Sequence, residues 1–253
     1  MNDVGAALAD ICEEVSRLVL PLWRTGLAVT TKSDESPVTD ADHRGEAMIL
    51  ERLAAAYPGV PVISEEDASQ FGTPDAIGRT FFLVDPIDGT KAFVRGDPNF
   101  TVNIGLIQDG QPIAGAVAAP ATGEIWFTQG GGARKRGVGE TTVVPIHARP
   151  WLEGQAVALV SHTMKEATLA ALGKEYGFQH TQPMDSSIKF CRLAEGAADI
   201  YPRHGPTMEW DIAAGHAVLI AAGGRLVSRE GQPFVYGKAT EGFRNGFFVA
   251  RGA

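Results

Sequence analysis

Cysteine is nearly absent: the chain has 253 residues and two cysteines, Cys12 and Cys191. Both lie among apolar neighbours in stretches that read as helical. We read them as buried thiols in a reducing compartment, not as a disulfide or a metal-binding pair. Long apolar runs are also missing, and none approaches the roughly 20 residues that cross a bilayer. The N-terminus has no basic region leading into an apolar core, and Asp3 and Asp10 interrupt it early. The expectation is a cytoplasmic protein without a transmembrane segment. Positive charge is in short supply, with 22 Lys and Arg against 30 Asp and Glu, a net charge of −8. That balance argues against a nucleic-acid polymer as partner, because phosphate backbones select clustered Lys and Arg. A small phosphorylated substrate stays open, since bound cations can hold it and an excess of carboxylates is what such cations need. Internal repeats and low-complexity segments are lacking too.

What is present is a hydrophobic fraction of 44%, enough for a full core. The length suits one large domain or two small ones sharing an interface. Val4, Leu8, Ile11, Val15, Leu18 and Leu22 alternate spacings of four and three, which predicts an amphipathic helix ending near Gly26. A second helix is predicted over 41–57, capped by Thr39 or Asp40 and stopped by Pro58-Gly59. Strands are predicted over 60–64, 81–85, 101–107, 112–118 and 124–127, with a hairpin at Asp109-Gly110. The glycine-rich run 130–140 lacks the lysine-serine ending of a nucleotide loop and reads as a surface hairpin. Beyond about residue 155 the pattern changes to alternating strands and helices, with helices at 164–176, 187–197 and 211–222 and strands at 156–161, 199–202, 225–228 and 247–250. The expected organisation is an N-terminal α+β part, 1–150, followed by a C-terminal α/β part, 151–253.

The chemistry concentrates in FFLVDPIDGTKAF, residues 81–93. An apolar strand runs into Asp85-Pro86-Ile87-Asp88-Gly89-Thr90 and then a helix. Asp85 and Asp88 stand three apart across a turn fixed by Pro86, so both can face one point beyond the strand. Two carboxylates that close repel unless a cation lies between them. Hard cations such as Mg²⁺ take oxygen ligands. Gly89 and Thr90 open a helix whose first amides are unpartnered and favour an anion, so one hexapeptide offers metal ligands beside a phosphate cradle. Taken alone, such a string is more often a turn with two solvated acids. Here Glu65-Glu66 also closes a strand, and Asp211 sits in the apolar run MEWDIAAGHAV, a poor place for a solvated acid.

At these residues the chain resembles the inositol monophosphatase superfamily of magnesium-dependent, lithium-sensitive phosphatases. PVTDAD (37–42), ISEE (63–66), LVDPIDGT (83–90) and EWDIAAGHAV (209–218) stand in that family's order and spacing. Within it, DGTKAF, NFTVNIGLI with GQPIAGAV, and SSIKFCRLAEGAADIYPRHGPTMEWDIAAGHAV are most similar to the CysQ-type 3′(2′),5′-bisphosphate nucleotidases. The chain departs from that pattern at Ala92, often Glu in the family, and at Val160-Ser161-His162, where the family has a Ser-Arg-Ser-His run.

The resemblance implies a layered αβαβα fold. It implies Glu65, Asp85, Asp88, Asp211 and the carbonyl of Ile87 as ligands of two Mg²⁺ ions, with a third if Glu66 takes part; a solvated surface acid is the other reading of Glu66. Asp42 and Thr90 would activate the attacking water. Glu65, Ile87, Asp88, Gly89, Thr90 and Asp211 would also face the substrate. Ser187 and Lys189 are candidates for the ribose or a second phosphate, with a surface lysine as the alternative at 189. His162 either touches the nucleotide or is structural. Arg203 either pairs with a phosphate or with Glu209 or solvent. His147, His180 and His204 show no distinguishing spacing, and Trp23, Trp126 and Trp151 read as core or interface. The activity implied is hydrolysis of the 3′-phosphate of adenosine 3′,5′-bisphosphate or its phosphosulfate analogue, in sulfur assimilation. Inositol phosphate or histidinol phosphate would suit the same chemistry. A non-catalytic metal-binding regulator is disfavoured by the complete set Asp42, Glu65, Asp85, Asp88, Thr90 and Asp211. The sequence leaves the oligomeric state open.

Overall fold

Apolar residues at helical spacing build the first element, α1 (Val4–Val19), capped by the Asp3 side chain and burying Leu8, Ile11, Cys12 and Val15. The computed structural model describes residues 3–23, 29–31, 37–151 and 154–253. The α-helix ends at Val19 and a 3-10 turn covers Leu20–Leu22. This is earlier than the apolar spacing suggested, because Pro21 has no N–H for the next helical bond. The expected end near Gly26 lies outside the described residues. Strands β1 (Val29–Thr31) and β2 (Pro37–Thr39) form a small antiparallel pair leading into α2 (Asp40–Ala56), whose N-cap is Thr39.

The central layer is a seven-stranded sheet. Strand β3 (Val62–Ser64) is followed directly by a helix the sequence pattern did not reveal, α3 (Glu65–Phe71). Its seven residues are too few to show periodicity. Strand β4 (Thr80–Asp88) lies parallel to β3 and leads through Gly89 into α4 (Thr90–Arg95). Antiparallel strands β5 (Thr101–Gln108), β6 (Gln111–Ala119), β7 (Glu124–Gln129), β8 (Gly132–Gly137) and β9 (Val144–Ile146) complete the sheet. The expected hairpin at Asp109-Gly110 joins β5 to β6, both residues having positive φ. The glycine-rich run begins with the β7–β8 hairpin, as expected.

Beyond residue 150 comes a five-stranded mixed sheet. Strand β10 (Val157–Val160) and α5 (Glu166–Tyr176) precede β11 (His180–Pro183), an exposed polar edge strand with no apolar signature. Then follow α6 (Ile188–Ala194), β12 (Ile200–Arg203), β13 (Thr207–Met208), α7 (Glu209–Ala221), β14 (Arg225–Ser228), β15 (Arg244–Asn245) and β16 (Phe248–Arg251). In the five-stranded sheet β10 is parallel to β11 and β12, and β16 is antiparallel to β12 and β14. β13 and β15 pair separately.

Three apolar clusters show the layering. One joins α1 and α2 to one face of the large sheet. A second places α6 and α7 between the two sheets. A third closes the outer face of the small sheet with α5. This is the αβαβα sandwich that the resemblance implied. α7 lies hard against β5 and β6, because a Cβ at Gly105 would meet the Ala214 amide at 2.9 Å and one at Gly115 the Ala214 carbonyl at 2.7 Å.

Candidate active site

β4 carries the acids deeper into the fold than expected. The strand continues through Asp88, with an irregularity between Asp85, opposite Asn103, and Asp88, opposite Thr101. Both partners on β5 are fully buried. Asp85 therefore lies inside the strand, with 1% exposure. Its Oδ1 has no hydrogen-bond partner. Carboxylate oxygens of Glu65, Asp85 and Asp211 all lie within 4.8 Å of one another. Burial, and then the charges of Glu65, Asp88 and Asp211, push the Asp85 carboxyl well above the usual range. Asp211 is raised in the same way, by burial and by Asp88 and Glu65. Burial also raises Asp88, against the opposing charge of Lys189 and the Ser187 amide.

The helices orient these groups. Asp211 is the third residue of α7, which starts two residues before the expected point, and its Oδ2 accepts from the Met208 amide at 2.8 Å. Asp42 holds the equivalent position in α2. Its Oδ2 accepts from the Thr39 amide at 2.8 Å and the Thr39 hydroxyl at 2.6 Å. The other oxygen of Asp42 is 3.2 Å from Thr90 Oγ1, which also lies 3.1 Å from the Ile87 carbonyl. Glu65 opens α3, and Asp88 Oδ2 accepts from the Ser187 amide at 2.6 Å, at the start of α6. A carboxylate at a helix N-terminus meets the positive end of the dipole and is held by backbone donors. Gly89, at φ 92°, makes the turn into α4; a Cβ there would meet the Asn99 carbonyl at 3.0 Å.

All of this opens into a cleft of about 570 Å³ lined by Glu65, Asp85, Ile87, Asp88, Gly89, Thr90, Lys189, Arg203 and Asp211, among others. The surface-lysine reading of Lys189 does not hold. The residue is 3% exposed, with Nζ donating to the carbonyls of Ser186 at 2.7 Å and Met184 at 3.2 Å and lying 4.9 Å from the Tyr201 ring centroid. Burial pulls its pKa down to about 8, with Asp88 opposing. Arg203 donates to the Gly205 and Pro206 carbonyls, while Glu209 pairs with Lys238, so the alternative Arg203–Glu209 pair is not formed. Ser187 is buried and its hydroxyl donates to the Asp211 carbonyl. His162 stands behind Asp185 at the rim, with Nδ1 3.3 Å from Asp185 Oδ2. Glu66 is 4% exposed, so it is not a solvated acid; its amide donates to Glu46 Oε1 at 3.0 Å.

Lys91, Arg95, Asp185 and Ser186 also line the cleft and were not singled out from the sequence. Lys91 was within reach of the pattern, since it follows DGT in the first turn of α4. Ser186 carries a positive φ of 57°. That conformation is sparse for a non-glycine residue. It aims the Ser186 carbonyl at Lys189 and the next amide at Asp88. Cys12 and Cys191 are free and buried, as expected, and burial raises both thiols.

The donor set is all oxygen, crowded, buried and short of protons or cations to balance it, which suits a hard divalent cation. The profile of the Inositol monophosphatase family matches residues 2–245, and the chain belongs to that family, a metal-dependent one. It is 40% identical over 223 residues to the 3′(2′),5′-bisphosphate nucleotidase CysQ of Escherichia coli strain K12, covering 88% of each chain. It is 33% identical over 248 residues to a histidinol-phosphatase of Mycobacterium tuberculosis, covering 90% of this chain and 87% of the other. Among solved structures, CysQ from Bacteroides thetaiotaomicron superposes with a TM-score of 0.77 at 31% identity, covering 98% of this chain and 96% of that one. No helix among the described residues is long and apolar enough to cross a membrane.

Proposed function

We propose that this protein is a cytoplasmic 3′(2′),5′-bisphosphate nucleotidase that converts adenosine 3′,5′-bisphosphate to AMP and phosphate, and accepts the 5′-phosphosulfate analogue. The observation that carries the reading is that one cleft holds both a carboxylate cluster and, beside it, the cations Lys189 and Arg203. The carboxylates suit the reacting phosphate and its metal ions; the cations suit a second phosphate that does not react. The relatives named as CysQ nucleotidases support the same substrate class.

Glu65, Asp85, Asp88, Asp211 and the Ile87 carbonyl would hold two Mg²⁺ ions. These supply Lewis-acid stabilisation of the charge that develops on the phosphoryl group and its leaving oxygen. The rest is done by the chain. Thr90 donates its hydroxyl proton to Asp42 Oδ1, which leaves a lone pair on Oγ1 to orient the attacking water. Thr39 fixes Asp42 from the other side, so the Thr90 hydroxyl is held before substrate arrives. First-turn amides of α4 offer donors for the non-bridging oxygens. Lys189 and Arg203 bind the remote phosphate, and that binding positions the reacting group.

A charged contact of this kind is worth about 1.5–3 kcal/mol, on the order of a tenfold to hundredfold preference. With Mg²⁺, kcat/KM for adenosine 3′,5′-bisphosphate should exceed that for inositol 1-phosphate and histidinol phosphate by at least that margin, and AMP should be a poor substrate. Equal or better use of either non-nucleotide ester would overturn the nucleotidase reading and leave a phosphatase of different specificity.

A further inference from the structure

Basic residues gather at the other end of β12 from the cleft. Asp199 precedes that strand and Arg203 ends it, about 13 Å further along at strand rise. Arg225 on β14 and Arg251 on β16 lie directly opposite one another in an antiparallel pair. Like charges in that position repel. Among the described residues, neither guanidinium has an acidic partner or donates a hydrogen bond.

The surroundings hold Arg251 in place. The Arg251 guanidinium lies 5.3 Å from the Trp151 ring centroid and 5.8 Å from that of Tyr176. Burial, and then the charge of Arg225, push its pKa down. Arg149 is fixed alongside by a two-pronged contact with Asp199, at 2.7 and 2.6 Å. Asp199 also accepts from the Val157 amide at 2.7 Å, so its charge is already engaged. The three arginines line one small pocket with Trp151, Asp199 and Ala253. In a protein of net charge −8, it is a patch in which three guanidiniums face the Asp199 carboxylate and the carboxylate of Ala253, an excess of one positive charge.

We infer that this pocket binds a tetrahedral oxyanion, a sulfate or phosphate group, between Arg225 and Arg251. A planar guanidinium presents paired N–H donors that match two oxygens of such a group. A dianion placed there turns the cross-strand repulsion into attraction on both sides. The enclosed volume is only about 20 Å³, so the group sits at the mouth against exposed Arg225, and a whole nucleotide is not enclosed. The inference stands independently of the phosphatase reading.

The test is calorimetric titration of the full chain in EDTA, at constant ionic strength, with sodium sulfate, inorganic phosphate and glycerol 3-phosphate. Saturable binding should weaken about tenfold in Arg225→Gln and in Arg251→Gln, and persist in the cleft variant Arg203→Gln. Arg225 is solvent-exposed, so its variant keeps the fold. In anion-free buffer it should melt slightly higher than the parent, because the repulsion is gone, and sulfate should no longer raise its Tm. A response to the ester as well as the inorganic ions assigns an esterified group; a response to the inorganic ions alone assigns the free anion. Equal sulfate affinity in the parent and Arg225→Gln overturns the inference. So does an equal effect of chloride, or loss of binding in Arg203→Gln.

Discussion

At its N-terminal end α6 presents the Ser187 amide to Asp88; at its C-terminal end Arg192 and Glu195 join a second group of partly buried charges. There Lys135 lies 2.6 Å from Glu124 and 2.8 Å from Glu195, and Arg192 lies 2.7 Å from Glu124. Trp126 donates its indole N–H to Glu195 at 3.0 Å, and both cations lie over its ring. Both ends draw carboxylates out of water, more fully at Asp85 than at Glu124, and their proton affinities move in opposite directions. Burial alone would raise Glu124, yet hydrogen bonds from Arg192 and Lys135 outweigh it and hold the carboxyl down at about 2. Glu195 is lowered by the same two partners against its burial. Asp85 and Asp211 have carboxylates for neighbours instead, and burial and repulsion act together to raise them. Two acids matched to two bases form a structural joint between the large sheet and α6. Four acids with one buried lysine beside them form a cluster whose charge is unbalanced within the chain, as the proposed metal site requires.

The sharpest way to break that contrast is to neutralise one acid on the unmatched side. Asp85→Asn should lower kcat on the order of 10³-fold and remove most Mg²⁺ binding. In EDTA the same variant should melt a few degrees higher than the parent, because a buried repulsion is relieved. Titration calorimetry and scanning calorimetry read the two effects separately. Unchanged Mg²⁺ affinity in Asp85→Asn would refute the assignment of this cluster as the metal site.

A smaller effect is expected one layer out, where Asp42 accepts a hydrogen bond from Thr90 and is proposed to act through it. Thr90→Ala and Asp42→Asn should each lower kcat by about 10²–10³-fold, and the double variant little more. Asp42→Asn should also cost about 1 kcal/mol of stability, because the carboxylate doubles as a cap on α2. If the two losses in activation free energy add in full, the hydroxyl and the carboxylate do not work as a unit.

The matched and unmatched regions were unequally legible in the sequence. FFLVDPIDGT announced itself because its strand, acids and helix start are contiguous, and the Asp109-Gly110 hairpin is equally local. The helix of EWDIAAGHAV was also visible, but its start was placed two residues late. That hid the role of Asp211 as a third-residue cap. Glu124, Lys135, Arg192 and Glu195 gave no signal at all. The contacts that join α6 to the two strands span 60 to 68 residues, and a charge on a strand or helix surface reads as a solvated face. The burial of Lys189 was hidden for a related reason, since the carbonyls that satisfy it belong to an irregular loop at 184–186. Short and polar edge elements such as α3 and β11 carry no periodicity to read.

The matched network should matter for stability and hardly for turnover. Arg192→Met leaves Glu124 and Glu195 sharing Lys135 alone, and removing one partner of a buried set typically costs about 3–5 kcal/mol. The guanidinium is 21% exposed, so we expect the lower end, about 3 kcal/mol by urea denaturation, with kcat within a few-fold of the parent. The sign with pH follows from Glu124. Its folded pKa of about 2 lies below the ordinary value of 4.5, so its contribution is fully present above 4.5 and is lost as pH falls from there towards 2. The stability gap between the parent and Glu124→Gln, measured in EDTA, should therefore be widest near neutrality and narrow steadily below pH 4.5. A gap that stays constant down to pH 3 would mean the ion pairs do not set the Glu124 proton affinity. A fall in kcat for Arg192→Met as large as that for Asp85→Asn would mean that α6 transmits strain from one end to the other, and that the two clusters act as one.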